Sequence, residues 1–148
     1  MLTFDIFTKH SEAYDILKLV VAHLGDTPLA KNGIDEDHML NVILTFMERD
    51  RVIFLLREED KIVGYLAAAA SPHPFFPHIK TAAQYGWYVD KVFRKEASWA
   101  LIDAYEQWAK TIGCNLVTLA NYNTPKLSEA YVARGYTHIE QSFIKELQ

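Results

Sequence analysis

The sequence is poor in cysteine and has no long apolar run. Its 148 residues include one cysteine, Cys114, so the chain cannot form an internal disulfide. This fits a reducing compartment, and we interpret Cys114 as a small buried residue. No apolar run approaches the roughly 20 residues that a membrane span requires. The first segment, MLTFDIFTKHSE, carries charges too early for a secretory signal. These features predict a cytoplasmic protein with no membrane partner.

An excess of positive charge and a metal-ligand pattern are also lacking. The net charge is −4 and the pI is about 5.8. This argues against a nucleic-acid partner, because binding to phosphates needs a basic surface. The six histidines are scattered, and even His73 and His78, which flank PFFP, match no zinc-ligand spacing. We therefore predict no metal site.

What is present is the composition of a folded domain. Hydrophobic residues make up 50% of the chain and charged residues 23%, which is typical of globular proteins. A chain of 148 residues can bury one substantial core. No linker or repeat is visible, so we expect a single domain over residues 1–148.

The spacing of apolar residues predicts the secondary structure. Ser11 and Asp35 are placed to cap two helices that follow an alternating strand, LTFDIF. Two apolar runs around the charged turn REEDK indicate a hairpin. The strongest helical pattern runs from Ala97 to Ile112, and alternation over residues 137–147 predicts a closing strand. The order β-α-α-β-β-β-α-β-α-β indicates an α+β fold with mixed strand directions and helices on the faces of the sheet.

The stretch VDKVFRKEASWALI, residues 89–102, has the spacing of a turn that wraps a pyrophosphate. A strand is predicted to end at Val89 and a helix to begin near Glu96. The stretch contains no glycine, and bulky Trp99 stands where a small residue is expected.

This stretch resembles the signature of the GCN5-related N-acetyltransferase (GNAT) family. In that family, Arg or Gln follows the last valine of a strand by five residues and opens the pattern R/Q-x-x-G-x-G/A before a long helix. Here Arg94 follows Val89 at that distance, with Ala97 and Trp99 at the glycine positions.

A second family signature is a tyrosine followed four residues later by glycine and an aromatic residue. YVARGY resembles it through Tyr131, Gly135 and Tyr136. The likeness covers roughly residues 50–147, and the order of elements extends it to the N-terminus. The resemblance implies a mixed, mostly antiparallel central sheet flanked by about four helices. It also implies an acetyl-CoA-dependent N-acetyltransferase that moves the acetyl group to a primary amine by direct attack.

The resemblance also implies a cofactor site. The pyrophosphate of CoA needs N–H donors and a favourable field, and a helix N-terminus offers both. The residues implied at this turn are Arg94, Lys95, Glu96, Ala97, Ser98, Trp99 and Ala100. Trp87, Tyr88 and Val89 are implied along the preceding strand, where a bulge eased by Gly86 would present an N–H to the oxyanion. The resemblance implies Asn123 on the cofactor arm, but a turn role is the better interpretation of Asn121 and Asn123.

The glycine-free turn leaves two functions open. An indole that packs sideways would leave the N–H donors intact, and the turn would bind acetyl-CoA. If Trp99 instead blocks the turn, the chain is a cofactor-free interaction module with the same fold.

The resemblance implies Tyr131 as the general acid that protonates the leaving CoA thiolate. The alternative is that Tyr131 is a buried aromatic residue whose hydroxyl already has a hydrogen-bond partner. No glutamate precedes the turn, and Tyr85, Tyr88 and Asp90 are the neighbouring groups. We leave the general base unassigned, and a turn role is the better interpretation of Asp90.

The acceptor is predicted to be a small-molecule or peptide amine. Family members admit it between the first two helices and the hairpin region. These segments carry four acidic residues, Asp26, Asp35, Glu36 and Asp37, and the aromatic loop SPHPFFPHIK is expected opposite them. An acidic and aromatic lining suits a cationic amine. The alternative is that these carboxylates only stabilise a solvated helix N-terminus. A homodimer is a further expectation from the family.

Overall fold

A five-stranded sheet organises the first part of the chain. The computed structural model describes residues 1–122 and 124–147. The chain divides into two compact units, residues 1–118 and 119–148, and each is described by itself. In the first unit the strands are β1 Leu2–Ile6, β2 Arg51–Glu58, β3 Lys61–Pro72, β4 Lys80–Val89 and β5 Leu116–Thr118. They lie in the order β1-β2-β3-β4-β5. All neighbours are antiparallel except β4 and β5, which are parallel.

The β2–β3 hairpin is the centre of the sheet. Both strands are almost continuously apolar, and most of their residues are buried. Glu59 adopts a left-handed conformation, with φ 53°, in the tight turn between them. Strands of this composition require cover on both faces of the sheet.

Three helices of the first unit provide that cover. α1 Ala13–Gly25 and α2 Glu36–Thr45 bury Ile16, Leu17 and Ile43 against Ile53 and Leu55 of β2. α3 Arg94–Thr111 lies on the other face, where Phe54 meets Trp108 edge to face. The alternation of Ile53, Phe54 and Leu55 across the sheet separates the two faces. The predicted α+β class, with its mixed and mostly antiparallel sheet, is confirmed.

The predicted helix caps have different outcomes. Asp35 caps α2, because its carboxylate accepts the N–H of His38 at 3.0 Å. The prediction for Ser11 is wrong. A short 3-10 helix, His10–Glu12, precedes α1, so the N-cap position falls on Glu12. The Glu12 carboxylate lies 2.6 Å from Nη1 of Arg57 on β2 and ties the helix start to the sheet.

The second unit contains α4, Pro125–Ala133. Gly135, with φ 96°, ends this helix, and the N–H of Tyr136 donates to the carbonyl of Tyr131 at 3.1 Å. The predicted closing strand over residues 137–147 is wrong, since this described segment forms no strand. Alternation indicates a sequence that suits a strand, but a strand also needs a hydrogen-bonded neighbour. None of the four α-helices in the described parts of the chain is long and apolar enough to cross a membrane.

Candidate active site at the end of β4

β4 changes its pairing halfway along its length. Only Thr81, Ala82 and Ala83 of β4 pair with β5, opposite Leu116, Val117 and Thr118. On the β3 side, Ala68 pairs with Gln84 and Ala67 pairs with Gly86, so Tyr85 is the extra residue of a β-bulge. Residues 84–89 continue along β3 without a strand partner on their other edge among the described residues. This half of β4 therefore pairs, within the described chain, with β3 alone and begins at a bulge.

The helix that follows starts close to the end of β4. A 3-10 helix, Lys91–Phe93, leads into α3, which begins at Arg94, ahead of the predicted Glu96. No side chain within the described residues caps this start. In the usual helix pattern the N–H groups before Ala97 lack intrahelical acceptors, whereas those of Ala97 onward are accepted by the carbonyls from Phe93 onward. The donors for an anion are therefore at the very start of α3.

Arg94 is held at this junction by two contacts. Its Nε donates to the carbonyl of Val89 at 2.6 Å. Its guanidinium carbon lies 5.1 Å from the centroid of the Tyr88 ring. The positive charge is thus fixed between the end of β4 and the start of α3, beside exposed Lys95 and Glu96.

The side chains at the two glycine positions turn toward the sheet. Ala97 is 2% exposed. The Trp99 ring packs against Trp87 of β4, with centroids 5.5 Å apart and planes tilted by 58°. At about 1.5 Å per residue, Trp99 lies roughly one turn beyond the uncapped N–H groups. Its indole therefore packs sideways on β4 and leaves the axial end of the helix to Arg94, Lys95 and Glu96.

A cluster of polar aromatic residues lies on the opposite face of β4, and the sequence did not reveal it. Nδ1 of His23 on α1 is 2.6 Å from the hydroxyl of Tyr65 on β3. The His23 ring also stacks on Tyr88, with centroids 5.5 Å apart and planes 21° from parallel. Burial lowers the pKa of His23 below its usual value; Arg94 lowers it further and Asp26 opposes the shift. No motif links these residues, because only the folding of α1 over the sheet brings them together.

Of the groups considered as a base, Tyr88 belongs to this cluster, whereas Tyr85 and Asp90 make other contacts. The Tyr85 side chain is 67% exposed and meets Phe46 edge to face. The backbone carbonyl of Asp90 accepts the N–H of Phe93 at 2.9 Å, which fits the turn role. Among the acidic residues of the predicted acceptor lining, Asp35 is engaged as the cap of α2.

Tyr131 and Asn121 lie in the second unit. The Tyr131 hydroxyl donates to the carbonyl of Ala120 at 3.1 Å, and the ring meets Tyr136 with centroids 6.0 Å apart. Burial raises the pKa of Tyr131 to about 12, so the hydroxyl stays protonated at neutral pH. Asn121 accepts the N–H of Thr124 at 2.8 Å and donates to Ser128, which confirms its turn role. The prediction for Asn123 lies outside the described residues.

Among residues 1–122 and 124–147, no group of three or more His, Cys, Asp or Glu side chains is arranged to hold a metal ion. Cys114 is partly buried rather than fully buried, and burial raises the pKa of its thiol.

A bulged strand with β3 alone as its partner thus leads into a helix that has no side-chain cap within the described part of the chain. The chain belongs to the acetyltransferase (GNAT) family, whose family model matches residues 20–136. No curated protein matches the sequence significantly.

Solved structures share the fold over the full chain at low identity. Aminoglycoside acetyltransferase AAC(6')-Iy, in complex with the bisubstrate analog CoA-S-monomethyl-acetylneamine, has a TM-score of 0.79 at 15% identity, covering 100% of this chain and 99% of that chain. A ribosomal-protein-alanine N-acetyltransferase from Brucella melitensis biovar Abortus 2308 has a TM-score of 0.76 at 14% identity, covering 99% of both chains. AAC(6')-Ih from Acinetobacter baumannii has a TM-score of 0.74 at 16% identity, covering 100% of this chain and 99% of that chain. At these identities the likeness establishes the fold.

Proposed function

We propose that this protein is an acetyl-CoA-dependent N-acetyltransferase that transfers the acetyl group to a primary amine by direct attack, with no acyl-enzyme. The observation that carries the proposal is the second half of β4. This half follows a bulge, lacks β5 as a partner, and leads directly into the uncapped start of α3. An extended ligand arm can pair with such an edge while an anion binds at the helix start. Membership of the acetyltransferase family supports the same chemistry.

Each end of this arrangement suits a different part of the co-substrate. The N–H groups at the start of α3, with the charges of Arg94 and Lys95, would bind the pyrophosphate. The edge of β4 at Trp87, Tyr88 and Val89, where β5 does not pair, would hold the pantetheine arm and supply an N–H to the thioester oxygen. The further residues proposed to line the cofactor are Glu96, Ala97, Ser98, Trp99, Ala100 and Asn123. The departure from glycine fits this role because Ala97 is buried and Trp99 packs sideways on Trp87.

The proposed acid is Tyr131. Its raised pKa, about 12, keeps the hydroxyl protonated, so that it can donate to negative charge that develops beside it. The departing thiolate is such a site of developing charge, and a positioned hydroxyl stabilises it by donating a hydrogen bond and a proton. The hydroxyl would exchange its present acceptor, the carbonyl of Ala120, for the sulfur.

The proposed acceptor is a small-molecule or peptide amine. Relatives in fold include enzymes named for aminoglycosides and for the alanine of a ribosomal protein. Carboxylates at Asp26, Glu36 and Asp37 are exposed near the ends of α1 and α2. Their charge would attract a cationic amine. A single acyltransferase domain over residues 1–148, a cytoplasmic location and a homodimer complete the proposal.

Calorimetric titration with acetyl-CoA tests the proposal before any acceptor is known. We expect a Kd in the micromolar range, which corresponds to about −8 kcal/mol. Arg94→Gln should weaken binding about tenfold or more, because a charge-assisted hydrogen bond contributes roughly 1.5–3 kcal/mol. Tyr131→Phe should leave the affinity within about twofold and lower turnover at least about 100-fold, the range of general acid catalysis.

Different results would contradict the proposed cofactor binding and the proposed role of Tyr131. No heat of binding up to millimolar acetyl-CoA would remove the enzyme function and leave a cofactor-free fold. Unchanged turnover in Tyr131→Phe, measured with neamine and with an alanine-initiated peptide, would remove only the acid. Lys18→Gln is a suitable control for Arg94→Gln, since Lys18 lies on the exposed side of α1 with its side chain 80% exposed.

A further inference from the structure

His23 is held in one orientation by contacts from two strands. Its Nδ1 lies 2.6 Å from the Tyr65 hydroxyl. One ring face stacks on Tyr88. Tyr65 is 3% exposed, so its hydroxyl is fixed by the surrounding core. With Nδ1 engaged by Tyr65, Nε2 is the ring nitrogen left for another molecule, and the imidazole itself is only partly buried.

The pair formed by His23 and Tyr65 lies directly against the bulge of β4. A Cβ atom placed on Gly86 would lie 2.9 Å from the Tyr65 hydroxyl oxygen and 3.0 Å from Cε2. Real Cβ atoms essentially never approach that closely. Glycine at position 86 therefore lets the Tyr65 hydroxyl contact the strand at the bulge. The same bulge precedes the N–H groups that we propose for the thioester oxygen.

The charges around His23 favour a neutral imidazole. Burial is the largest influence and lowers the pKa of His23, and the guanidinium of Arg94 on α3 acts in the same direction. Asp26, just after α1, raises it. Tyr65 from β3 and Tyr88 from β4 contribute contacts without charge. A neutral imidazole at neutral pH can accept a proton, whereas an imidazolium cannot.

We propose that His23 is the general base of the transfer reaction and that Tyr65 is its positioning residue. This inference rests on the proposed acetyltransferase function. The sequence analysis left the general base unassigned, and His23 would fill that role. His23 belongs to α1, on the side where we expect the acceptor to bind.

With Nδ1–H donating to the Tyr65 oxygen, Nε2 of His23 takes a proton from the acceptor ammonium and becomes part of an imidazolium. The freed amine lone pair forms the new C–N bond at the thioester carbonyl. The C–S bond breaks with its pair going to sulfur, which is protonated as the nitrogen loses its second proton. His23 then releases its proton to solvent.

The experiment compares His23→Gln with His10→Gln, a control at an exposed histidine of the 3-10 helix before α1. The probe amines are Nα-acetyl-lysine amide, with an amine pKa of about 10.4, and an alanine-initiated tripeptide, with an α-amine pKa of about 8. We expect His23→Gln to lower kcat/KM at neutral pH about 100-fold for the amine with the higher pKa, and less for the other. The loss should shrink as the pH rises, because solvent then deprotonates the amine. Tyr65→Phe should shift the same profile in the same direction but by a smaller factor.

A readout that needs no acceptor is the titration of the imidazole signals by NMR. The signal absent from His23→Gln should titrate below the usual imidazole pKa of about 6.5. A His23 imidazolium that persists at neutral pH would overturn the proposal, and so would an equal loss of kcat/KM at every pH, which indicates a structural role. If neither probe amine is acetylated, the NMR titration still tests whether His23 is the neutral imidazole that the proposal requires. Acetyl-CoA binding distinguishes failure of the proposed enzyme function from failure of the proposed role of His23. If the wild type does not bind acetyl-CoA, the enzyme function itself is removed. If His23→Gln binds acetyl-CoA with wild-type affinity, a loss of turnover in this variant is not caused by a loss of cofactor binding.

Discussion

The two halves of β4 belong to one strand but have different surroundings. In the first half, Thr81, Ala82 and Ala83 pair with strands on both sides. Lys80 at its start donates from Nζ to Asp50 and to the carbonyl of Ile112, at 3.2 and 3.0 Å. The second half, after the bulge at Tyr85, pairs with β3 alone and carries Trp87 and Tyr88. The fold is anchored by the first half, and the chemistry that we propose uses the second.

The largest effect is expected from Gly86→Val. The added side chain would displace the buried Tyr65 hydroxyl and with it His23, and a misplacement of about 1 Å can cost roughly 100-fold in rate. We expect kcat/KM to fall at least that far, and the free energy of unfolding to fall by about 1–3 kcal/mol from overpacking. Steady-state kinetics and urea denaturation measure the two effects.

Gly25→Ala is the matched control for Gly86→Val. No atom lies within 4 Å of a Cβ added at Gly25, the last residue of α1. The free energy of unfolding should rise by up to about 1 kcal/mol, since alanine is the better helix residue. Wild-type turnover in Gly86→Val would show that Tyr65 and His23 act independently of the bulge.

The next effect should appear in stability and leave binding unchanged. Lys80→Met removes hydrogen bonds from a side chain that is 29% exposed, and we expect the free energy of unfolding to fall by about 1–2 kcal/mol. The Kd of acetyl-CoA should stay within about twofold of the wild type, because Lys80 lies in the first half of β4. Urea denaturation and calorimetry on the same preparation test both statements. A tenfold loss of affinity for acetyl-CoA with unchanged stability would contradict the assignment of stability to the first half of β4 and of cofactor binding to the second half.

The sequence predicted the ends of β4 and α3 better than the contacts between residues that are distant in the chain. The end of β4 at Val89 and the end of α3 before Gly113, with φ 86°, follow from local signals, because apolar periodicity and a left-handed glycine act within a few residues. The start of α3 was predicted slightly late, since the 3-10 turn before Arg94 has no sequence signature.

The candidate base could not be predicted from the sequence. His23 and Tyr65 are 42 positions apart, and their contact depends on α1 packing over β3. In the sequence, His23 is one of six histidines without a motif. Gly86 was the one local signal, since a glycine inside a strand often marks a bulge or a close contact. It indicated the place on β4 but not the tyrosine that approaches it.

The smallest effect expected is the pH dependence of stability from His23. Its pKa is lower in the folded chain than the unfolded value of about 6.5. Between the two values the unfolded state binds more protons, so stability rises with pH in that interval. The wild type should therefore lose stability as the pH falls through about 6.5, until the folded imidazole also becomes protonated. His23→Gln should lack this loss and His10→Gln should retain it, in urea denaturation at about pH 7.5 and about pH 5.5. Parallel losses in the wild type and His23→Gln would mean that the imidazole titrates normally, and that the face of β4 beneath α1 is not the polar, desolvated site that distinguishes the second half of the strand.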